Sequence, residues 1–232
     1  MGYSLSWIAV KGRSSKDLQQ VLGFRSTGRH GNYGEHTLVG RQLRDGWHLL
    51  IANTCDDRIA KNKTLAYLSK GCQAVACSIE EHVMFSSCAF WNEGKKIWSV
   101  KHRGDQGVFD VVKSGKVPEN YFALKNELIE LQRSEGGENA GVDHVFDLPL
   151  QLAKQLVGFR HDEEDVSGSY EILELNYLQR ASRAVAASVA WLYLAGVLVG
   201  LVVILGLVAV VVRGAFDWLI RLVKGLLPYL HA

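Results

Sequence analysis

Between Ala184 and Val212 the chain runs for 29 residues without one charged side chain. Backbone polar groups in hydrocarbon must be satisfied within the segment, which leaves a helix as the simple solution. About 20 apolar residues cross the ~30 Å hydrocarbon core, and shorter apolar runs suit buried helices of water-soluble folds. Residues 184–212 are therefore expected to form a transmembrane helix. Trp191 and Tyr193 stand near one end, and Phe216 and Trp218 just past the other, where interfacial aromatic belts belong. Leu192–Val212 between them makes about 31 Å of helix at ~1.5 Å per residue, close to the core thickness.

The residues around this span have their own patterns. In FDWLIRLVKGLLPYLHA, Asp217, Arg221, Lys224, Pro228 and His231 recur at spacings of three and four among apolar residues. One narrow polar stripe predicts an amphipathic interfacial helix over residues 215–231, with Arg221 and Lys224 among the headgroups. The rival reading is a second span, against which stand two cations and a proline. Gly196 and Gly200 form a GxxxG pair, a candidate packing face for a homo-oligomer. Arg180 and Arg183 flank one end of the span, and Arg213, Arg221 and Lys224 the other. That count slightly favours a cytoplasmic C-terminus. Against it, MGYSLSWIAVKGRSS lacks the cationic start and apolar run of an export signal. Cys55, Cys72, Cys77 and Cys88 also lack the spacing of a disulfide scaffold. The expected arrangement is a tail-anchored protein with its N-terminal domain in the cytoplasm.

Once the tail is separated, composition becomes informative. Residues 1–180 hold 22 basic and 23 acidic side chains, a net of −1, and the last 52 residues a net of +3. A near-neutral domain excludes a strongly basic nucleic-acid binder and an acidic disordered chain. Its pattern predicts an α+β fold over residues 1–165, with a largely antiparallel sheet and flanking helices. Tyr3–Val10 reads as a strand. Ser14 or Ser15 caps a helix to Leu22, closed by Gly23, and RSTGRHGNYGEH follows as an exposed loop. Leu38–Leu43 and Trp47–Ala52 flank the turn Arg44-Asp45-Gly46. A helix over Arg58–Ser69 leads to a buried strand, Cys72–Ile79. Val83–Trp91 and Lys96–His102 form a second hairpin, and Val108–Val112 a short strand. Helices are expected from Pro118 to Arg133 and from Leu148 to Gly158, the second capped by Asp147. Ile172, Leu175 and Leu178, at spacing three, predict a juxtamembrane helix over residues 170–183.

Residues that carry chemistry are few. Cys72 and Cys77 have no second Cys pair or His pair at zinc-ligand spacing, so no metal is expected. The absence of GxxxxGK[ST] and of a strand-linked GxGxxG leaves no cofactor motif. No catalytic residue is assigned. Glu80, Glu81, His82 and Asp56 are the candidates if the chain is an enzyme, and solvated strand ends are their plainer reading. Trp47, Trp91 and Trp98 lie on or beside the two hairpins with Lys95 and Lys96, a mixture typical of protein-contact hot spots. Ordinary half-buried hairpins are the plainer reading of the same residues.

MGYSLSWIAVKG at the start, EEHVMFSS at 80–87 and GVDHVFDLPLQLAKQLVGFRHDE at 141–163 resemble segments of a set of uncharacterised bacterial proteins. The resemblance covers most of residues 1–163 and implies a bacterial origin and a domain that also occurs without an anchor. It carries no activity, cofactor or catalytic residue. Three function classes remain. The leading one is a membrane-anchored protein-binding module at the bacterial inner membrane, in one version an immunity protein against a secreted toxin. The others are a membrane-bound hydrolase or transferase using Glu80, Glu81 and His82, and an oligomeric membrane structural component. The partners expected are the lipid bilayer, a protein and a second copy of the chain.

Overall fold

Leu5–Val10 is buried almost without a break, and a strand hidden on both faces belongs at the centre of a layered fold. A computed structural model describes residues 2–163, 169–176, 200 and 212–213 of the chain. In it β1 (Ser4–Lys11) is the middle of one nine-stranded sheet. The other strands are β2 (Phe24–Gly31), β3 (Leu38–Gln42), β4 (Trp47–Ala52), β5 (Gln73–Glu80), β6 (Phe85–Asn92), β7 (Lys95–Arg103), β8 (Val111–Gly115) and β9 (Tyr170–Leu175). Their order is β2-β9-β3-β4-β1-β5-β6-β7-β8, and every neighbouring pair is antiparallel. The α+β expectation holds.

Helices cover both faces. α1 (Ser15–Leu22) and α2 (Asn62–Leu68) pack Leu18, Leu22, Leu65 and Leu68 on one, against Ile8, Val10, Leu50 and Ala74. This side is called the outer face below. α3 (Tyr121–Ser134) and α4 (Asp147–Val157) pack on the other, against Trp7, Leu49, Val75 and Val100. Phe159 meets Trp7 edge to face, with ring centroids 5.3 Å apart, a pairing worth about 0.5–1.5 kcal/mol beyond its buried area.

Local signals explain several boundaries. Ser14 Oγ accepts from Asp17 N at 3.1 Å and starts α1. Gly23, at φ 70°, ends it by donating to the carbonyls of Gln19 and Gln20, the left-handed stop that glycine adopts without a Cβ penalty. α4 begins with Pro149 in its first turn and stops at Gly158, φ 72°. Asp147 is not its cap: Asp143 Oδ1 accepts from Phe146 N at 3.0 Å, while Asp147 turns to Arg160 at 2.7 Å. The expected helix over 58–69 is instead a 3-10 turn, Arg58–Ala60, followed by α2.

Two expectations are overturned. RSTGRHGNYGEH is not a loop, since β2 occupies most of it, paired with β9 and interrupted by a bulge between Ser26 and His30. Residues 170–175 are not the start of a helix. They form β9, inserted between β2 and β3, because main-chain pairing on both sides outweighs a three-residue apolar spacing too short to nucleate a helix alone. The chain divides into two units, Met1–Asn176 and Tyr177–Ala232, so the first extends past the expected boundary at residue 165.

Among the described residues no helix is long and apolar enough to cross a membrane. The expected span lies outside the described residues except for Gly200 and Val212. The expected amphipathic helix, Gly196 and the interfacial set Trp191, Tyr193, Phe216, Trp218, Arg221 and Lys224 lie outside them as well.

Candidate functional site

The sheet order separates the residues of the expected hot spot. Trp47 is 5 % exposed and Trp98 3 %, and both point into the α3/α4 core, with three strands between theirs. Trp91 is 6 % exposed and faces the other way. The tryptophans are thus core residues rather than exposed anchors, because helices close over both faces of the central strands. The lysines differ. Lys95 and Lys96 are exposed, and Lys96 Nζ lies over the Trp91 ring at 5.9 Å from its centroid.

Lys96, but not Lys95, borders a recess in the outer face of β5–β7, beside α2, with a volume near 200 Å³. α2 covers Trp91 on β6 and lines one side of the recess through Asn62 and Leu65, while Lys101 and Val112 beyond it stay exposed. Registers Ser78–Ser87–Lys101 and Ala76–Ala89–Ser99 place small side chains in rows across the floor. Ser99 and Ser114 hydroxyls, 2.8 Å apart, satisfy each other. Lys96 and Lys101 line the rim. Asp56 lines it too, already paired with Lys61. Val112, on the outward side of β8 opposite Lys101, is 45 % exposed.

A second concavity, about 740 Å³, lies where the β5–β6 turn, the start of α4 and the chain after α4 meet. Glu81, Asp143, Asp147, Asp162 and Arg160 line it. Arg160, with 8 % of its side chain exposed, donates to both oxygens of Asp162 (2.6 and 2.8 Å) and to Asp147 (2.7 Å). Burial works against the charge on Asp162, but the hydrogen bonds and charge of Arg160 hold its carboxyl below the usual range. On Asp147 burial wins and raises it in spite of Arg160. Behind this wall His161 is 1 % exposed. Its Nε2 is 3.3 Å from Glu81 Oε1, and its Nδ1 has no hydrogen-bond partner among the described residues. Burial depresses its pKa, against the pull of Asp162 and Glu81.

This arrangement splits the acid–base candidates. Glu81 turns to His161 and accepts from Tyr3 N at 2.8 Å. Glu80 instead accepts from Ser4 Oγ and from the exposed His82 Nδ1 at 2.6 Å, and those bonds hold its carboxyl down. Asp56 sits at the recess, apart from both. The Glu81–His161 pairing joins residues 80 positions apart, so no sequence spacing announced it. His102, also buried, faces only acceptors: Asp143 Oδ2 at 2.8 Å and the Asp110 carbonyl at 3.0 Å. It ties β7 to the start of α4. The described residues hold no group of three or more His, Cys, Asp or Glu placed to bind a metal ion. No protein-family model, curated protein or solved structure matches the chain.

Proposed function

We propose that the chain is a membrane-anchored protein-binding module of the bacterial inner membrane, its N-terminal domain in the cytoplasm. In its most specific form it is an immunity protein that captures a secreted toxin. The observation that supports binding is the outer face of β6–β8. It is a formed, partly apolar surface with lysines at its rim, beyond the part of the sheet that α2 covers. A recess lined by few hydrogen-bonding demands and bordered by charge is the anatomy of an interface core with a polar rim. The anchor rests on the uncharged stretch from Ala184 to Val212.

Two measurements test this reading. The full chain should sediment with membranes and resist extraction by salt, whereas a chain ending at Asn176 should not. A photo-crosslinking amino acid in place of Ser87, on the recess floor, should give one discrete protein adduct in the native cell. In the immunity version that adduct is a toxin whose gene lies beside this one. A full chain found free of membranes removes the anchor, and absence of any Ser87 adduct removes the binding surface.

A further inference from the structure

Resting on the partner-binding reading above, we infer that the recess receives an acidic protein surface: carboxylates to meet Lys96 and Lys101, around a protruding side chain seated on the small-residue floor.

The charge distribution carries the first half. Residues 95–116, which include β7 and β8, contain five lysines and one arginine against two aspartates, within a stretch of 180 residues whose net charge is −1. Of the nearby acids, Asp56 is paired with Lys61 and the charge of Asp105 acts on Arg103. Asp110 is held by Arg103 in two hydrogen bonds, 2.8 and 3.2 Å. Lys96 and Lys101 have no carboxylate partner among the described residues, and Lys96 rests instead on the Trp91 ring. A concentration of like charge costs self-repulsion, which a complementary surface relieves.

The floor carries the second half. Ala76, Ser78, Ser87, Ala89 and Ser99 are small, and the hydroxyls of Ser78 and Ser99 are taken up by Ser6 and Ser114. Such a floor asks for volume rather than for hydrogen bonds. Nucleic acid fits it poorly. Single strands need a series of exposed aromatic faces for stacking, and the recess offers one half-buried ring, Phe85. Forked recognition of a phosphate needs a free guanidinium, and Arg103 is occupied by Asp110.

The test uses the full chain in detergent micelles and four probes: a glutamate-rich peptide containing one phenylalanine, its lysine-rich counterpart, single-stranded RNA, and vesicles containing phosphatidylglycerol. The glutamate-rich peptide should bind and should slow hydrogen exchange in residues 85–91 and 96–101. Its affinity should fall about tenfold in the double variant Lys96→Glu, Lys101→Glu. The control Lys16→Glu, Lys125→Glu makes the same charge change elsewhere and should leave binding within about twofold. Equal loss in both pairs, or binding of RNA or vesicles in preference to the peptide, overturns the inference. If the Ser87 adduct persists undiminished in the Lys96, Lys101 reversal, the acidic partner is wrong while the binding surface stands. If wild type gives no adduct, the binding surface itself fails.

Discussion

Replacing Arg160 by methionine isolates the electrostatics of the end cleft. Methionine keeps the apolar stem of the side chain while removing three charge-assisted hydrogen bonds to Asp147 and Asp162. Breaking a buried pair by deleting one partner costs about 3–5 kcal/mol, because the remaining charge stays desolvated. Here the stranded carboxylates keep 29 % and 34 % of their side chains exposed, so water recovers part of the loss. A destabilisation of about 2–4 kcal/mol is expected. At about 2–4 °C per kcal/mol for a chain of this size, melting should fall by about 5–15 °C. The assay is thermal unfolding of the full chain in detergent, followed by tryptophan fluorescence at pH 8 and pH 5.

The pH arm decides the cause. Without the guanidinium the folded-state pKa values of both aspartates rise. A carboxyl whose folded pKa is raised destabilises as pH climbs through it and is relieved below it. The gap between wild type and Arg160→Met should therefore narrow at pH 5. A loss under about 1 kcal/mol, or the same gap at both pH values, would falsify the view that uncompensated carboxylates are responsible.

Three further outcomes follow from the structure. His161 is buried with a depressed pKa, so the unfolded chain binds its proton more tightly. Stability should be full above the ordinary value near 6.5 and fall below it, by at most about 1.4 kcal/mol per pH unit, and His161→Gln should flatten that slope. Cys77 and Cys88 face each other across β5 and β6, and burial followed by the Cys88 thiol pushes Cys77 up. Burial and then Glu80 push Cys55 up to about 11. Iodoacetamide at neutral pH should leave these three thiols unlabelled in the native chain and label them after denaturation. Finally, Gly115 has φ 74° and a Cβ there would lie 2.1 Å from the Ile97 carbonyl, whereas at Gly46, φ 77°, nothing lies within 4 Å. Alanine at Gly46 should cost about 1–2 kcal/mol for the left-handed backbone alone, and alanine at Gly115 clearly more in the same melting assay.

The sequence by itself determined what depends on near neighbours. The cap at Ser14, the stop at Gly23, the stop at Gly158 and the two hairpin turns are interactions within a few residues, and each is where the pattern put it. The uncharged run from Ala184 is equally local, and the expected anchor rests on it alone. Tertiary structure decided the rest. β2 buries Phe24 and little else, so it lacks the alternation that marks a half-buried strand, and only its pairing with β9 makes it one. The tryptophans look like surface anchors until α3 and α4 close over Trp47 and Trp98. Glu81 meets His161 rather than His82 because the chain after α4 returns to the β5–β6 turn. The lysine-rimmed recess forms where α2, through Asn62 and Leu65, meets the outer side chains of β5–β7, a juxtaposition set by packing that no window of sequence contains.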